Sequence, residues 1–558
     1  MKPNKSDELV FLPLGGSGEI GMNLNAYGYG PPDHRQWVIL DIGVTFGDAS
    51  TPGVDVIMPD PAYLESERDN LLGIVLTHAH EDHIGAIGHL WRRLRAPVYC
   101  TPFTAFLVRE KLREHDLLDE VDLRVLPMRA SFELGPFHFR FVTLTHSIPE
   151  PNGVVITTPL GVVMHTGDWK IDPDPVVGDQ TDAAALIEIG KNGVLAMVCD
   201  STNALVEGSA GSEADVQTEL IKLIGELKGK VAVACFASNV ARLTSVIEAA
   251  RQAGRQVCLA GRSMKRITAA AQTVGLLSNT GMFVSEDEAQ MLPDENILYL
   301  CTGSQGEPRA ALAKIAQGNN PTVKLRKGDT VVFSSRVIPG NELPIKDVQN
   351  RLVERGVNVI TERDRPIHVS GHPCKDELRQ MYQWVRPKIA IPVHGESRHL
   401  AEHAAIAKEL QIEETVIPRN GDMIRLAPGL AELIDEAPHG RLHLDGNQLV
   451  PADDEALRER RKIAVVGHIT VTVAINDRGA LLSGPAICMR GLPDFDDKTE
   501  GEAIEALEEA ADDAFQALKP KQKANIELVE ETLERSVRRA AERIWGKRPL
   551  VDAMVLTV

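Results

Sequence analysis

The segment Thr77-His78-Ala79-His80-Glu81-Asp82-His83 says most about the fold of this chain. It follows the strand-like run Gly73–Leu76 and precedes a helical pattern that starts near Ile84. Three imidazoles and a carboxylate in one strand-to-helix loop can converge on one or two cations, and these ligand types favour Zn²⁺, with Mn²⁺ as the alternative. A solvated polar loop is the competing interpretation. It is the weaker one, because the whole chain holds only 17 histidines.

Other candidate ligands also stand directly after predicted strands. They are Asp41 after Trp37–Leu40, His146 after Phe139–Leu144, Asp168 after Val162–Met164, and His394 after the strand-like Lys388–Ile391. Taken singly, each is equally well explained as a structural or capping residue. Their shared position at strand ends, together with the histidine-rich loop, favours metal ligands. A carboxylate such as Asp168 can bridge two cations about 3.5–4 Å apart, as in two-metal phosphoesterases.

The order of predicted elements changes along the chain. In the first 200 residues, short apolar runs bounded by turn residues predict buried strands, for example Phe137–Leu144 and Val154–Met164. From Val231 to Pro366, strands alternate with helices, which predicts a parallel sheet with helices on its faces. Short strands and histidine-rich loops return near Ile367. The alternating region is therefore predicted to be inserted into a first domain.

The remaining residues predict a further small αβ domain. A polar, charged stretch precedes two strand-like runs, Ile463–Ile475 and Ala480–Met489, and a helix at Ile526–Trp545 whose apolar residues lie mostly on one face. The predicted domain ranges are 1–208 for the first domain, 209–366 for the insertion, 367–445 for the completion of the first domain, 446–460 for a linker and 461–558 for a C-terminal domain.

Composition places the chain among folded enzymes. Of its 558 residues, 43% are hydrophobic and 25% are charged, which excludes a disordered chain. No stretch reaches the roughly 18 uncharged apolar residues of a membrane span, and the first residues make a poor signal peptide. The seven cysteines are scattered and form no CxxC motif. They are typical of reduced thiols, so the sequence predicts a cytoplasmic protein without a membrane partner.

The net charge of −19 seems to argue against a nucleic-acid partner, because phosphate binding relies on Lys and Arg. The excess is unevenly distributed, however. The stretch Asp494–Asp513 contains ten acidic residues and one lysine, so it carries nearly half of the net negative charge of the chain. Divalent cations at the predicted site would add positive charge there. The net charge therefore does not exclude RNA or DNA as a substrate.

The histidine motif, with His146, Asp168 and His394 downstream, resembles the metallo-β-lactamase superfamily, and the insertion resembles the β-CASP group of nucleic-acid hydrolases. Four segments are similar to the ribonuclease J family: Leu14–Asn23, Cys301–Pro308, Ser334–Glu342 and His368–His372. Ala79 stands where this family has Gly, at a position that is not a ligand. The resemblance implies an α/β fold: a metallo-β-lactamase αββα sandwich, an inserted β-CASP α/β domain and a small C-terminal α/β domain.

The resemblance also implies roles for the site residues. His78, His80 and His146 would hold one divalent ion; Asp82, His83 and His394 would hold a second; and Asp168 would bridge the two. The ions would be Zn²⁺, with Mn²⁺ or Mg²⁺ as alternatives, and would lower the pKa of bound water. Asp41 would orient the ligand loop.

Three residues would take part in catalysis under the same resemblance. Asp82 would help to orient the nucleophile, and His372 would act as a general acid or stabilise the transition state. Asp200 would fix an imidazole. A satisfied core histidine and a helix cap remain the alternatives for His372 and Asp200, and His165 is predicted to be structural.

The family trims RNA from a 5′-monophosphate end and also cuts internally, in mRNA decay and rRNA maturation. A pocket for the 5′-phosphate is expected from His368, Val369, Ser370, Gly371 and His372, together with Ser238 and Asn239 at a strand-to-helix junction. An ordinary helix cap is the compatible alternative for Ser238 and Asn239. Basic side chains expected near RNA, or alternatively on a solvated surface, are Arg262, Lys265, Arg266, Arg336, Arg363 and Arg365.

Two other function classes compete with a ribonuclease. One is an inactive scaffold subunit, which the intact set of candidate ligands disfavours. The other is a different hydrolase of the superfamily, a DNA nuclease or a thioesterase, and a thioesterase would not need the insertion. The expected partners are mRNA and rRNA precursors, proteins of an RNA-decay complex, and further copies of this chain in a homodimer or homotetramer held by Arg461–Val558.

Overall fold

A computed structural model describes residues 6–277, 283–493 and 497–558. The chain divides into two compact units, Met1–Thr45 with Ile57–Arg441 and Phe46–Val56 with Leu442–Val558. All of the candidate ligands lie in the first unit. The acidic stretch predicted at 494–513 begins with three residues, 494–496, that lie outside the described residues. None of the helices in the described ranges combines the length and apolarity needed to cross a membrane.

Two mixed sheets form the framework of the first unit. The strands of one sheet, in spatial order, are β25 (Glu432–Glu436), β24 (Asp422–Ala427), β1 (Glu8–Gly15), β3 (Leu24–Gly30), β4 (Gln36–Leu40), β7 (Leu71–Val75), β8 (Val98–Cys100) and β9 (Leu123–Val125). The strands of the other are β10 (Ser131–Leu134), β11 (Phe137–Thr143), β12 (Asn152–Thr158), β13 (Gly161–His165), β14 (Val194–Asp200), β21 (Pro387–Val393) and β23 (Glu414–Thr415).

The two sheets pack face to face through alternating apolar side chains. In β11, Phe137, Phe139 and Phe141 are buried while His138 between them is exposed, as the two-residue period of a strand requires. These rings share one core with residues of the other sheet, such as Phe11 and Val38. Helices cover the outer face of the second sheet, where Leu186 and Met381 pack against Met197. The layers confirm the predicted αββα sandwich.

The carboxyl ends of several strands meet at one edge of this sandwich. β4, β7 and β8 run parallel to one another in the first sheet, and β13, β14 and β21 do so in the second. Parallel strands that share a sheet bring the loops after them to the same edge. The candidate ligands predicted at strand ends therefore emerge on one side.

The insertion leaves after β14 and returns before β21, and these two strands are neighbours. They pair in parallel, with Val198 opposite Ile391. The inserted sheet is parallel at every pairing among its described strands, in the order β17 (Phe283–Val284), β16 (Gln256–Ala260), β18 (Ile297–Cys301), β15 (Val231–Ala234), β19 (Thr330–Phe333) and β20 (Asn358–Ile360). It confirms the predicted parallel αβ domain.

The helices of the insertion alternate with its strands, as predicted for Val231 to Pro366. One of them spans Val240–Gln252, and Asn239 caps it by accepting a hydrogen bond from the Arg242 N–H. The helices of the first unit are α1 (Ala62–Ser66), α2 (Glu81–Ile84), α3 (Ile87–Leu94), α4 (Pro102–Glu114), α5 (Ala183–Asn192), α6 (Glu213–Glu226), α7 (Val240–Gln252), α8 (Arg262–Thr273), α9 (Glu286–Met291), α10 (Ala311–Ala316), α11 (Glu342–Glu354), α12 (Lys375–Val385) and α13 (Ser397–Glu409).

The second unit is a small αβ domain with its own core. In its main sheet, β28 (His468–Ile475) lies between β29 (Leu481–Arg490) and β30 (Leu550–Thr557). Val471 and Ile475 of β28 pack against Leu533 and Val537 of a long amphipathic helix. The helices are α14 (Glu455–Val466), α15 (Asp497–Gln516), α16 (Pro520–Lys523) and α17 (Ile526–Trp545); the short strands of the chain are β2 (Ser17–Gly18), β5 (Thr45–Phe46), β6 (Val56–Pro59), β22 (Gly395–Glu396), β26 (Arg441–Asp445) and β27 (Gln448–Pro451).

Two predicted strands have different limits in the structure. The run Val154–Met164 forms the hairpin β12–β13, because Pro159 interrupts the pairing and Gly161 takes a positive φ of 150°. The first residues of the run Ile463–Ile475 end α14, and the strand starts only after Gly467, whose φ is 65°. Residues 446–460, the range predicted as a linker, contain β27 and the first turns of α14, which Asp454 caps.

Candidate metal centre

Asp41 holds the histidine-rich loop in place through hydrogen bonds to two of its residues. Its buried carboxylate accepts hydrogen bonds from the Thr77 backbone N–H (2.8 Å) and from the Thr77 hydroxyl (2.8 Å), and it lies 2.7 Å from His83 Nδ1. Asp41 itself adopts a positive φ of 63°, a conformation that costs energy for a residue with a side chain. With Nδ1 of His83 engaged by Asp41, Nε2 is the nitrogen that faces the site.

One group of ligand atoms is formed by His78, His80, His146 and Asp168, whose ligand atoms all lie within 4.8 Å of one another. His80 Nδ1 is 3.1 Å from His78 Nε2 and 3.0 Å from His146 Nε2. Asp168 Oδ2 is 3.8 Å from His78 Nε2 and 3.7 Å from His146 Nε2. Nitrogens packed this closely around a carboxylate form a suitable donor set for a divalent ion.

A second group is formed by Asp82, His83, Asp168 and His394, again within 4.8 Å. Asp168 Oδ2 lies 3.1 Å from His83 Nε2 and 3.6 Å from His394 Nε2. Asp82 Oδ2 lies 3.6 Å and 3.7 Å from the same two nitrogens. Asp168 therefore reaches both groups through a single oxygen.

The second group contains a buried nitrogen that needs a partner. Among the described residues, His394 Nε2 has no hydrogen-bond partner although it is buried. The rest of the residue is fixed: Nδ1 lies 3.0 Å from Asn23 Oδ1, and the backbone N–H donates to Gly16 O at 2.6 Å. A polar atom buried without a partner costs free energy, which a bound cation would relieve. The residues present thus fit a divalent ion.

Burial and neighbouring charges set the protonation states of the candidate ligands. Burial lowers the pKa of His80 to about 4 and holds the pKa values of His78 and His146 well below 6.5, so these imidazoles are neutral. Burial disfavours charge on Asp168, but the His394 and His83 imidazoles outweigh it and hold the carboxyl pKa well below 3.8. For His83, the Asp168 and Asp41 carboxylates outweigh burial and raise the pKa well above 6.5, so this imidazole must release a proton when it binds a metal.

His372 and Asp200 form a hydrogen-bonded pair beside the two groups. His372 Nδ1 lies 2.8 Å from Asp200 Oδ2 and 3.9 Å from Asp168 Oδ2. Burial alone would lower the pKa of His372, but the Asp200 carboxylate outweighs it and raises that pKa to about 9. Asp200 Oδ1 also accepts the Thr202 backbone N–H at 2.8 Å. The carboxylate thus holds the imidazole and the turn that follows β14; the next helix, α6, begins at Glu213 and is capped by Ser212, so the helix-cap alternative for Asp200 is wrong.

The segment 368–372 borders the cluster on the side of the insertion. Gly371 O lies 2.5 Å from His146 Nδ1. The Ser370 hydroxyl accepts from Asn203 Nδ2 at 2.7 Å and from the His372 backbone N–H at 3.2 Å. From the opposite side, Ser238 Oγ lies 3.2 Å from His80 Nε2. Ser238 and Gly371 thus contact candidate ligands, and Ser370, which Asn203 holds, directly precedes Gly371.

Other predicted site residues are engaged in contacts within the protein. Asn239 is buried, accepts the Arg242 N–H as the cap of α7 and donates to Glu213 Oε1 at 3.1 Å. His368 Nδ1 lies 3.4 Å from the Arg242 guanidinium, and Val369 lies beside Gly211. His165, predicted to be structural, is buried and lies 3.0 Å from the Tyr27 hydroxyl.

Several of the predicted basic side chains pair with acids of the chain. Lys265 Nζ lies 2.8 Å from Glu286, and Arg266 lies 3.5 Å from Glu114 and 3.8 Å from Glu81 of the ligand loop. Arg365 contacts Glu219 at 2.8 Å and Glu226 at 2.7 Å. Arg262, Arg336 and Arg363 are exposed.

Asn23 is a site residue that the sequence reasoning missed. It donates to Asp82 O at 3.1 Å and contacts both His83 and His394, so it supports two candidate ligands at once. The signal available was its place at the end of the segment Leu14–Asn23, which carries part of the family resemblance. Asn203 and Arg242 were missed as well, and no local motif marks them.

Comparison with known proteins agrees with this geometry. Family profiles match residues 48–192 (beta-lactamase superfamily domain), 228–352 (ribonuclease J, beta-CASP domain), 356–418 (Zn-dependent metallo-hydrolase RNA specificity domain) and 455–558 (ribonuclease J C-terminal domain). Ribonuclease J of Sinorhizobium meliloti is 47% identical over 99% of this chain and 98% of its own length. The chain belongs to the ribonuclease J family.

More distant relatives extend the same comparison. Ribonuclease J of Corynebacterium glutamicum is 36% identical over 98% of this chain and 76% of its own length. Ribonuclease J 1 of Streptococcus pyogenes is 34% identical over 100% of this chain and 98% of its own. A crystal structure of a protein of unknown function from Enterococcus faecalis covers 75% of this chain at a TM-score of 0.52 and 16% identity, which indicates a shared fold alone. This ribonuclease J homologue is thus a hydrolase with a buried His/Asp metal-site cluster.

Proposed function

We propose that this ribonuclease J homologue hydrolyses RNA phosphodiester bonds with two Zn²⁺ ions, both as a 5′→3′ exonuclease on 5′-monophosphate RNA and as an endonuclease. The observation that carries the proposal is the position of Gly371 and Ser238 against His146 and His80 of the first group of candidate ligands, with Ser370 directly before Gly371. A phosphate held there lies next to the catalytic centre, so the bond that is cleaved is close to the 5′ end.

The two groups of ligand atoms would each hold one divalent ion, with Asp168 shared between them. Such ions lower the pKa of water and offset negative charge on phosphoryl oxygens. Asp82 keeps 29% of its side chain accessible, whereas Asp168 keeps 2%. The Asp82 carboxylate can therefore accept a hydrogen bond from an attacking water and orient it toward the phosphorus.

His372 would supply the proton that the leaving ribose oxygen needs. Nδ1 is engaged by Asp200, so Nε2 is the nitrogen that remains to donate. The Asp200 carboxylate favours the protonated imidazole, and about a quarter of the His372 side chain is accessible (24%). A positioned general acid of this kind contributes roughly 10²–10⁴-fold to a rate.

Ser370 has one hydrogen to offer a 5′-phosphate. A hydroxyl carries one donor and two acceptor positions, and both acceptors of Ser370 Oγ are taken, by Asn203 Nδ2 and by the His372 N–H. The O–H hydrogen is therefore directed to a third partner. Ser238, directly before the cap of α7, would approach the same anion through its hydroxyl. Asn239 contributes by capping that helix.

The direct test compares RNAs that differ only at the 5′ end. The purified protein with Zn²⁺ or Mn²⁺ is expected to release mononucleotides from a 5′-monophosphate RNA and to act slowly on the 5′-hydroxyl form. Ser370→Ala should reduce that preference, whereas Ser66→Ala, at an exposed position of α1, should not. Equal rates on both ends without mononucleotide release would refute the exonuclease, and equal cleavage of a DNA strand would favour a DNA nuclease.

The same proposal includes the cellular role and the partners. An enzyme with these two activities would act in mRNA decay and in rRNA maturation, on mRNA and rRNA precursors, and alongside proteins of an RNA-decay complex. The cytoplasm is the expected location, because six of the seven cysteines are buried and all seven are unpaired, as in a reducing compartment.

We also propose that the C-terminal domain holds a homodimer or homotetramer. The helices cover one face of its sheet, and on the other face of β30 the side chains of Met554 and Leu556 are 51% and 50% exposed. Apolar side chains on an uncovered sheet face are typical of an interface. Met554→Lys with Leu556→Lys should lower the molecular mass in light scattering, and an unchanged mass would refute this role.

A further inference from the structure

We propose that Arg242 is a positioning residue for the 5′-phosphate pocket: its buried guanidinium holds together the two segments that carry the phosphate-binding side chains. The proposal rests on the proposed function for the identity of the pocket. Arg242 lies on α7, is 1% exposed and contacts no candidate metal ligand directly in the described structure. Any effect of Arg242 on RNA binding must therefore be exerted by way of the residues that it contacts.

The guanidinium group of Arg242 contacts four other residues. Nε and Nη2 donate to the Glu213 carboxylate at 3.2 and 3.1 Å, and Nη1 donates to the Ser334 carbonyl at 2.8 Å and its hydroxyl at 2.7 Å. Nη1 also reaches Ile367 O at 3.1 Å and His368 Nδ1 at 3.4 Å. These contacts join α6, α7, β19 and the segment that returns from the insertion.

The first of the two segments is the start of α7. The Arg242 N–H donates to Asn239 Oδ1, and Asn239 Nδ2 donates to Glu213 Oε1, the oxygen that Arg242 Nη2 also contacts. The helix cap and the buried ion pair are thus one network. Ser238 directly precedes this cap, and its hydroxyl is the group that faces His80 at 3.2 Å. The network fixes the backbone from which Ser238 projects.

The second segment is 367–372. Ile367 O accepts from both Arg242 Nη1 and the Ser334 hydroxyl (2.7 Å), so the carbonyl is held from two directions. Three residues further on stands Ser370, followed by Gly371 against His146 and by His372 against Asp200. Loss of the contact at Ile367 would loosen this segment, which would then be held from its far end by Asn203 and Asp200, so that the His372 imidazole keeps its place while the backbone opens more often.

Only arginine can make this set of contacts. Its planar fork donates in several fixed directions, whereas a lysine ammonium has three donors at one point and a shorter reach around a carboxylate. The pair with Glu213, itself 2% exposed, removes the cost of a lone buried charge. The sequence segments around Ser334 and His368, which distinguish the family, meet at this guanidinium.

The test uses Arg242→Lys in the full-length protein, with Arg251→Lys as the matched control, because Arg251 lies on the same helix but its side chain is 58% exposed and pairs with Glu248. Amide hydrogen exchange of the metal-loaded protein should rise about tenfold in peptides covering 236–240 and 366–372, and stay unchanged in 78–83. The KM for a 5′-monophosphate RNA should rise about tenfold with kcat changed less than twofold, and the KM for the 5′-hydroxyl RNA should stay constant.

Wild-type exchange and an unchanged preference for the 5′-monophosphate in Arg242→Lys would overturn the proposal. If Arg242→Lys does not fold, the double variant Arg242→Met with Glu213→Met removes both buried charges together and is expected to fold. It should show the same two changes, and their absence would overturn the proposal equally. A wild-type protein without 5′-phosphate preference would refute the proposed function instead, while the exchange data would still decide whether Arg242 positions the two segments.

Discussion

His372 Nδ1 lies 2.8 Å from Asp200 Oδ2, although the two residues are separated by 172 positions in the chain. Asp200 is the last residue of β14, before the insertion, and His372 follows the insertion. The pair therefore links the strand that leads into the inserted domain to the segment that follows it. Because Asp200 is held in turn by the Thr202 N–H, the imidazole is fixed relative to the second sheet rather than to the inserted domain.

Substitution of His372 should slow catalysis without emptying the metal centre. His372→Gln is expected to lower the single-turnover rate about 10²–10⁴-fold, the usual contribution of a general acid. The metal content, measured by mass spectrometry, should stay at the wild-type value because both groups of candidate ligands are intact. His34→Gln, at an exposed histidine of the same unit, is the control. A loss of metal that parallels the loss of rate would contradict a role in proton transfer.

Substitution of Asp41 should weaken metal binding through the ligand loop. Asp41→Asn removes the charge that orients Thr77 and His83, and loss of such an outer hydrogen bond typically costs about 10–100-fold in metal affinity. Competition with a chelator measures the affinity directly. Asp33→Asn, at an exposed position, should bind like the wild type. Equal affinities of the two variants would show that Asp41 does not orient the ligands.

Gly371 should be intolerant of a side chain. A Cβ at this position would lie 2.6 Å from Ser147 Oγ and 2.9 Å from His146 Cε1, so Gly371→Ala must displace the His146 ring. We expect weaker metal binding and a lower rate. Gly225→Ala is the matched control: this exposed glycine in α6 has open space around it, and alanine there should stabilise the protein by about 0.4–1 kcal/mol. Wild-type metal affinity in Gly371→Ala would contradict the crowding.

The buried pair of Lys170 and Asp172 should make stability depend on acid pH. Lys170 Nζ lies 2.7 Å from Asp172 Oδ2, and both side chains are at most 1% exposed. Burial opposes the charge on Asp172, but Lys170 outweighs it and holds the carboxyl pKa below 3.8. The stabilisation is therefore complete above the unfolded pKa and is lost as pH falls through the lower folded pKa.

Asp172→Asn should accordingly destabilise the protein by about 3–5 kcal/mol at pH 7, because Lys170 is left buried without its counter-ion. Calorimetry at pH 7 and at pH values below 3.8 measures the difference, which should shrink in acid as the wild-type carboxylate becomes protonated. Asp179→Asn, whose side chain is 70% exposed, should show little change at either pH. A difference that grows in acid would contradict the assignment of charge.

The metal centre was predictable from sequence because each of its parts is local. A strand followed directly by a polar residue can be recognised in a short stretch of sequence. Asp168 and His394 both follow strands that end at the same sheet edge. The insertion was predictable for a similar reason, since the rhythm of apolar runs changes where the parallel sheet begins. Both features depend on short-range patterns in the chain.

The supporting contacts were not predictable, because they join residues far apart in the chain. Asn23 reaches His394 over 371 positions, and Arg242 reaches His368 over 126. An arginine in a helix usually lies in solvent, so its type gives no sign that it is buried here. The hairpin at Val154–Met164 was missed for a different reason: the apolar runs on either side of Thr157–Gly161 are close enough to read as one strand, although Pro159 and Gly161 mark the turn.

The pairing of β14 with β21 also determines when the enzyme can assemble during synthesis. β21 and His394 leave the ribosome only after the whole inserted domain, so a nascent chain that ends within the insertion lacks both, and its second group of ligands is incomplete. β24, which pairs with β1 in the first sheet, is synthesised later still. A chain under translation therefore remains without a complete nuclease centre while the messenger RNA that encodes it is within reach.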